Sequence, residues 1–186
     1  MTRISSFTDW MHIVMLTRFT DKTWEENKSY REKRNYPGCV YGTPKQIGTT
    51  IPEGSRLFVL EMNNTKRRIE GVGFIEKDPN TKPCRIHKWA HYNRYIYNSR
   101  YRIDRSEFRP REKIVIRVIE LMVFHKYTRI MGHHGITRLT EWIQKNKQLG
   151  IVPLLYHAFK SRFPSAPIGA SPAERSRALR RLILAD

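Results

Sequence analysis

The chain has 186 residues, 35 of them Lys or Arg against 17 Asp or Glu, which gives a formal charge of +18. A hydrophobic fraction of 39% with 11% aromatics excludes wholesale disorder, and the length suits one sizeable core with appendages and not two large domains. The surplus charge must then decorate a folded surface, where it repels itself unless a polyanion lies close, and phosphate backbones are the commonest polyanion.

Residues 11–18 (MHIVMLTR) have the apolar and β-branched density of a buried strand. Thr20-Asp21 offers a cap for a helix over residues 22–34, with Trp24 and Tyr30 as apolar anchors among Glu25, Glu26, Lys28, Arg31 and Lys33, and Pro37-Gly38 stops it. Gly42, Pro44, Gly48, Pro52 and Gly54 predict a loop with short extended pieces. Residues 57–62 then form a strand, 63–67 a turn and 69–75 a returning strand, an antiparallel hairpin. Gly71 and Gly73 leave one face of that second strand bare, so either another element packs closely there or the strand bends in a bulge.

A turn over residues 78–83 precedes the most unusual segment, residues 85–111, in which Tyr92, Tyr95, Tyr97 and Tyr101 mix with Arg94, Arg100, Arg102 and Arg105. Two-residue alternation puts Tyr95, Tyr97, Tyr101 and Ile103 on one face and Arg94, Arg100 and Arg102 on the other. Residues 114–124 (IVIRVIELMVF) are nearly continuously apolar and read as a central strand buried on both faces, with a helix as the alternative. After Gly132-His133-His134-Gly135, Thr137 can cap a helix to about residue 148 with Leu139, Trp142 and Ile143 on one face, and Pro153 can begin a short helix to Phe159. Residues 164–169 read as a linker. Ser171-Pro172-Ala173-Glu174 is a capping box that opens a last helix, with Leu179, Leu182 and Ile183 facing one way and Arg175, Arg177, Arg180 and Arg181 elsewhere. The expected organisation is a β-rich domain over residues 1–130, a helical extension packed on it over 131–163, and a linker with a basic helix over 164–186.

The order of these pieces resembles the PUA-like superfamily, in particular its YTH, EVE and ASCH-like members. Strand and helix lead into Gly38-Cys39-Val40-Tyr41-Gly42-Thr43-Pro44, then an apolar strand, an Asn-rich turn and a strand with Glu70-Gly71-Val72-Gly73. Arg34-Asn35-Tyr36 also looks like the tripeptide of EVE domains. The likeness covers about residues 10–125. It implies an α+β fold with a curved, mostly antiparallel sheet closed toward a barrel, flanked by helices, and a role in binding RNA or modified bases. Tyr41 stands where YTH domains carry a cage tryptophan, and with Trp89 it could wall a base pocket.

Interleaved aromatic and guanidinium groups are what single-strand binding needs, since rings stack on unpaired bases for about 1–3 kcal/mol each while arginines grip phosphates. Trp89, Arg94, Tyr95, Tyr97, Arg100, Tyr101 and Arg102 are therefore the leading candidates; a half-buried strand with core tyrosines and solvated arginines is the plainer reading. Lys66, Arg67 and Arg68 in the hairpin turn suit a phosphate contact without sequence information, or simply solubilise the turn. Arg175 and Arg180 suit a polyanion, or form a solvated helix face.

No Cys/His/Asp set has the spacing for zinc, no nucleophile or paired-carboxylate motif stands out, and no cofactor motif is present, so a binding protein and not an enzyme is expected. Cys39 and Cys84 form neither a disulfide framework nor a CxxC pair. Apolar runs are too short to span a bilayer, and neither a signal peptide nor a lipidation motif is visible. The expected setting is intracellular, cytoplasmic or nuclear, or a virion. The expected partner is nucleic acid, RNA before DNA, with no membrane. A structural component of a large nucleoprotein or viral particle, touching polyanion and neighbouring proteins without base selectivity, is the alternative.

Overall fold

The computed structural model describes residues 13–80, 82, 84–125 and 135–169. Its axis is β1 (Ile13–Phe19), which sends Val14 and Leu16 to one core and Ile13, Met15 and Phe19 to another. A strand apolar on both sides has to lie inside a sheet with both faces covered. β1 pairs in parallel with β3 (Arg56–Asn63), which forms an antiparallel hairpin with β4 (Arg68–Glu76) as the sequence predicts. β6 (Arg102–Asp104) extends the sheet beyond β4, and β7 (Thr137–Arg138) pairs with the free side of β1, for an order β6-β4-β3-β1-β7.

α1 (Asp21–Glu32) begins at Thr20, whose hydroxyl accepts from the Thr23 amide at 3.2 Å while the Thr23 hydroxyl accepts from the Thr20 amide at 2.9 Å. This reciprocal cap satisfies two orphan donors at the helix start. The helix buries only Trp24, Asn27 and Arg31, one narrow stripe. Beside it, β2 (Cys39–Thr43) and β5 (Tyr95–Ser99) form a separate antiparallel ribbon laid over the Ile13/Val59/Ile75 face of the main sheet.

The sheets do not close into the barrel implied by the resemblance: the described architecture is α+β with an open, mostly antiparallel mixed sheet. Among the described strands, β2 and β5 pair with each other and with no strand of the main sheet, and the chain passes from one sheet to the other at Arg100-Tyr101. The two-residue alternation expected across 95–103 breaks at the same point. Tyr95 and Tyr97 face the core under the ribbon, whereas Tyr101 and Ile103 belong to the opposite core.

Residues 114–124 are not a central strand. They lie in the helical alternative, α2 (Pro110–Val123), with Phe124 as its C-cap. Its buried positions Glu112, Ile116, Ile119, Glu120 and Val123 follow the helical period, and Pro110 sits at its start, where a missing amide costs nothing. The helix expected over 137–148 shrinks to α3 (Glu141–Gln144), because Thr137 and Arg138 are taken by β1 and the Leu139 amide donates to the Val14 carbonyl at 2.9 Å. Trp142 is exposed while Leu139 and Ile143 are buried. α4 (Ile151–Arg162) follows Gly150, whose φ of 54° favours glycine, and outruns the short helix expected from Pro153. Ala166 and Ile168, within the expected linker, are buried in the core shared by β1, β3, β4, α2 and α4. Among the described residues, no helix is long and apolar enough to cross a membrane.

Candidate nucleic-acid interface

Beneath the ribbon lies a buried polar knot. Glu61, in the middle of β3, accepts from the Tyr41 hydroxyl at 2.9 Å and from Arg102 Nε and Nη2 at 3.0 and 2.8 Å. Arg102 Nη1 reaches Asp104 at 2.9 Å. Its guanidinium lies 5.7 Å from the centroid of the Trp24 ring, and that of Arg31 lies 5.6 Å from the same ring. Burial alone lowers the Arg102 pKa, but the Glu61 carboxylate outweighs it and the group is held above its ordinary value. Burial, with Glu61 nearby, pushes the Cys39 thiol up to about 12, so Cys39 stays a neutral packing group.

Gly71 and Gly73 make this knot possible. A Cβ on Gly73 would stand 2.1 Å from the Tyr41 hydroxyl and 2.6 Å from Cys39 Sγ, and one on Gly71 would stand 2.6 Å from Arg102 Nη2. The bulge between Leu60 and Met62 sits at the same place, so both readings of the paired glycines hold. The Ile69 amide beside it donates to Glu120 of α2 at 2.8 Å.

Over the outer side of the ribbon lies the segment 84–94. Ile86 anchors it against Val40 and Ile96. Asn93 ties it together, its Oδ1 accepting from the Ile86 and His87 amides at 2.8 and 2.9 Å and its Nδ2 donating to the His87 carbonyl at 2.7 Å. Gly42 lets it approach, since a Cβ there would lie 2.5 Å from the Tyr92 carbonyl oxygen. His87 Nδ1 meets Glu26 Oε2 at 3.1 Å, joining the segment to α1. Burial lowers the His87 pKa, with the Glu26 contact opposing it.

With these groups turned inward, Arg85, Lys88, Trp89, His91 and Arg94 face outward, and Trp89 is 61% exposed. The rings form a short series: Trp89 to His91 is 6.3 Å between centroids, and His91 to Tyr92 is 4.2 Å with planes 37° apart. The Arg94 guanidinium stands 5.5 Å from the Tyr95 ring centroid. The segment thus offers flat surface and positive charge together.

The predicted site residues divide sharply. Trp89 and Arg94 come together here, whereas Tyr95, half-buried, packs against the core under the ribbon and meets the segment only through Arg94. Tyr41 and Tyr97 do not: both are core residues, Tyr41 only 1% exposed, and the Tyr97 hydroxyl accepts from the Ile47 amide at 3.1 Å. Neither can stack on a base, and the Tyr41–Trp89 cage has no open wall at Tyr41. Arg102 is consumed by its carboxylates, and Tyr101 packs on Phe74 and Phe163 at 6.4 and 5.5 Å. Arg100 is exposed, apart from these tyrosine contacts. In the hairpin turn, Lys66 meets Asp21 at 3.4 Å, Arg68 meets Glu70 at 2.9 Å, and Arg67 Nη2 donates to the Phe124 carbonyl. The turn basics are therefore tied to the body. Arg175, Arg180 and the His133-His134 pair lie outside the described residues. Among the described residues, no group of His, Cys, Asp or Glu could hold a metal ion.

Arg85, Lys88, His91 and Asn93 are not among the residues expected from the sequence, although the run RIHKWAHYNR carries a cation or a ring at seven of its ten positions. Comparison with protein families, characterised proteins and solved structures finds no match.

Proposed function

We propose that the chain is a nucleic-acid-binding module, PUA-like in the order of its elements, that takes single-stranded RNA on the outer surface of residues 84–94. The observation that carries this reading is Trp89, a large ring left 61% exposed amid Arg85, Lys88, His91 and Arg94 in a chain of charge +18. An exposed indole set among guanidinium and ammonium groups is a platform on which an unpaired base can stack. Arg85, Lys88 and Arg94 supply phosphate contacts whose strength falls with salt. The strand, helix, ribbon strand and glycine-bearing hairpin support the PUA-like assignment. The role is binding, with no chemical step.

The test is fluorescence anisotropy with single-stranded RNA, single-stranded DNA and duplexes over a salt series, on the wild type and on Trp89→Ala. Single-stranded RNA is expected to bind tightest, and Trp89→Ala to weaken it by about 5- to 150-fold, the range equivalent to one stacked base. Equal binding by the variant defeats the reading. A steep salt slope without preference among the oligonucleotides points instead to a packaging role in a nucleoprotein particle.

A further inference from the structure

α2 turns its acidic side chains inward. Glu112 receives Arg162 of α4 through Nη1 at 2.9 Å and Nη2 at 2.8 Å, and Glu120 receives the Ile69 amide at 2.8 Å together with Arg105 and, at a longer 3.3 Å, Nη1 of Arg117, whose side chain stays 64% exposed. Their burial leaves the outward side of the helix without an exposed carboxylate of its own. That side instead presents Ile114 and Leu121, 65% and 60% exposed, with half-buried Val118 between them. At about 100° of rotation per residue these three form one line along the helix, and exposed Arg111 and Arg117 fall on opposite sides of it. Lys113 adds charge beyond Arg117.

We propose that this face of α2 docks an amphipathic helix of a partner protein, with aliphatic residues that cover the Ile114–Val118–Leu121 line and acidic residues that meet Arg111 and Arg117. Charge complementarity selects this occupant. A second copy of the chain would bring the same cations against themselves, and nucleic acid has nothing to cover two large aliphatic side chains. The buried side of α2 packs on the Val14/Phe58/Phe74 core, whereas residues 84–94 lie beyond the ribbon on the other face of the sheet. The two surfaces can be occupied together.

The probe is a fluorescein-labelled helical peptide of about 18 residues with leucines at helical spacing and Glu on both flanks, titrated with the full chain by anisotropy. Its controls are a scrambled peptide of equal composition and a version with Lys in place of Glu. The ordered acidic peptide is expected to bind at least about tenfold tighter than either control, and Ile114→Asp/Leu121→Asp to remove that advantage. Should the aspartate pair impair folding, Arg111→Glu/Arg117→Glu carries the test, because it should shift preference to the lysine peptide. The proposal is overturned if the scrambled peptide binds equally, if both variants retain the original preference, or if single-stranded RNA displaces the peptide. A concentration-dependent dimer abolished by Ile114→Asp/Leu121→Asp assigns the face to a second copy instead. A rise in peptide affinity on Leu182→Asp/Ile183→Asp in the full chain assigns it to the chain's own C-terminal segment.

Discussion

Arg102 Nη2 lies 2.8 Å from Glu61 Oε2, with the two side chains only 5% and 1% exposed. Removing one member of such a pair strands a buried charge, whereas replacing the whole set with apolar groups does not. Arg102→Met is expected to cost about 3–5 kcal/mol in urea unfolding, and Tyr41→Phe/Glu61→Leu/Arg102→Met to recover most of that loss. A triple variant as unstable as the single one would mean that the knot holds the ribbon in place by more than its charges.

Gly73→Ala places a methyl group into the Tyr41 hydroxyl and the Cys39 side chain. A loss of about 1–3 kcal/mol or more is expected in thermal melts, as for overpacked cores. Because the hydroxyl is the nearest obstacle, Tyr41→Phe in the same chain should make the combined loss smaller than the sum of the two single losses.

The outward cations of residues 84–94 should act by counterion release. Arg85→Gln, Lys88→Gln and Arg94→Gln are each expected to lower the salt slope of single-stranded RNA binding by about 0.7, with little change in melting temperature. Arg68→Gln, whose charge is already spent on Glu70, should leave the slope alone.

His87 gives the same segment a pH dependence. Burial lowers its pKa in the folded chain, so the folded state favours the neutral ring. Its contribution is complete above the ordinary histidine value of about 6.5 and is lost as the pH falls below it through the lowered folded value. The protection of the Tyr92 amide, which donates to the Trp89 carbonyl at 3.1 Å, should therefore fall on acidification once its exchange rate is corrected for the intrinsic slowing at lower pH. His87→Gln should flatten that extra dependence.

The hairpin of β3 and β4 and the helix α1 are legible in the residues because their patterning and their stop signals agree. α2 is obscured by its own chemistry. Two buried glutamates occupy inward positions while Ile114 and Leu121 occupy outward ones, so the apolar run hides the helical period that Glu112, Ile116, Ile119, Glu120 and Val123 obey. The candidate site is only partly legible for a related reason. Tyr97 and Trp89 belong to one aromatic, basic stretch, yet the change of sheet after Ser99 and the anchoring by Asn93 decide which ring is core and which is surface. Composition draws attention to the stretch, and only long-range pairing sorts its members.

The placement of β1 between β3 and β7 has a kinetic corollary. Leu16 meets Leu60 on one side and Thr137 on the other, so its second neighbour is made long after the strand itself. A nascent chain must keep one edge of a very apolar strand waiting through the synthesis of everything between, open to mispairing with other chains. The topology thus weights folding toward late, long-range closure of the sheet.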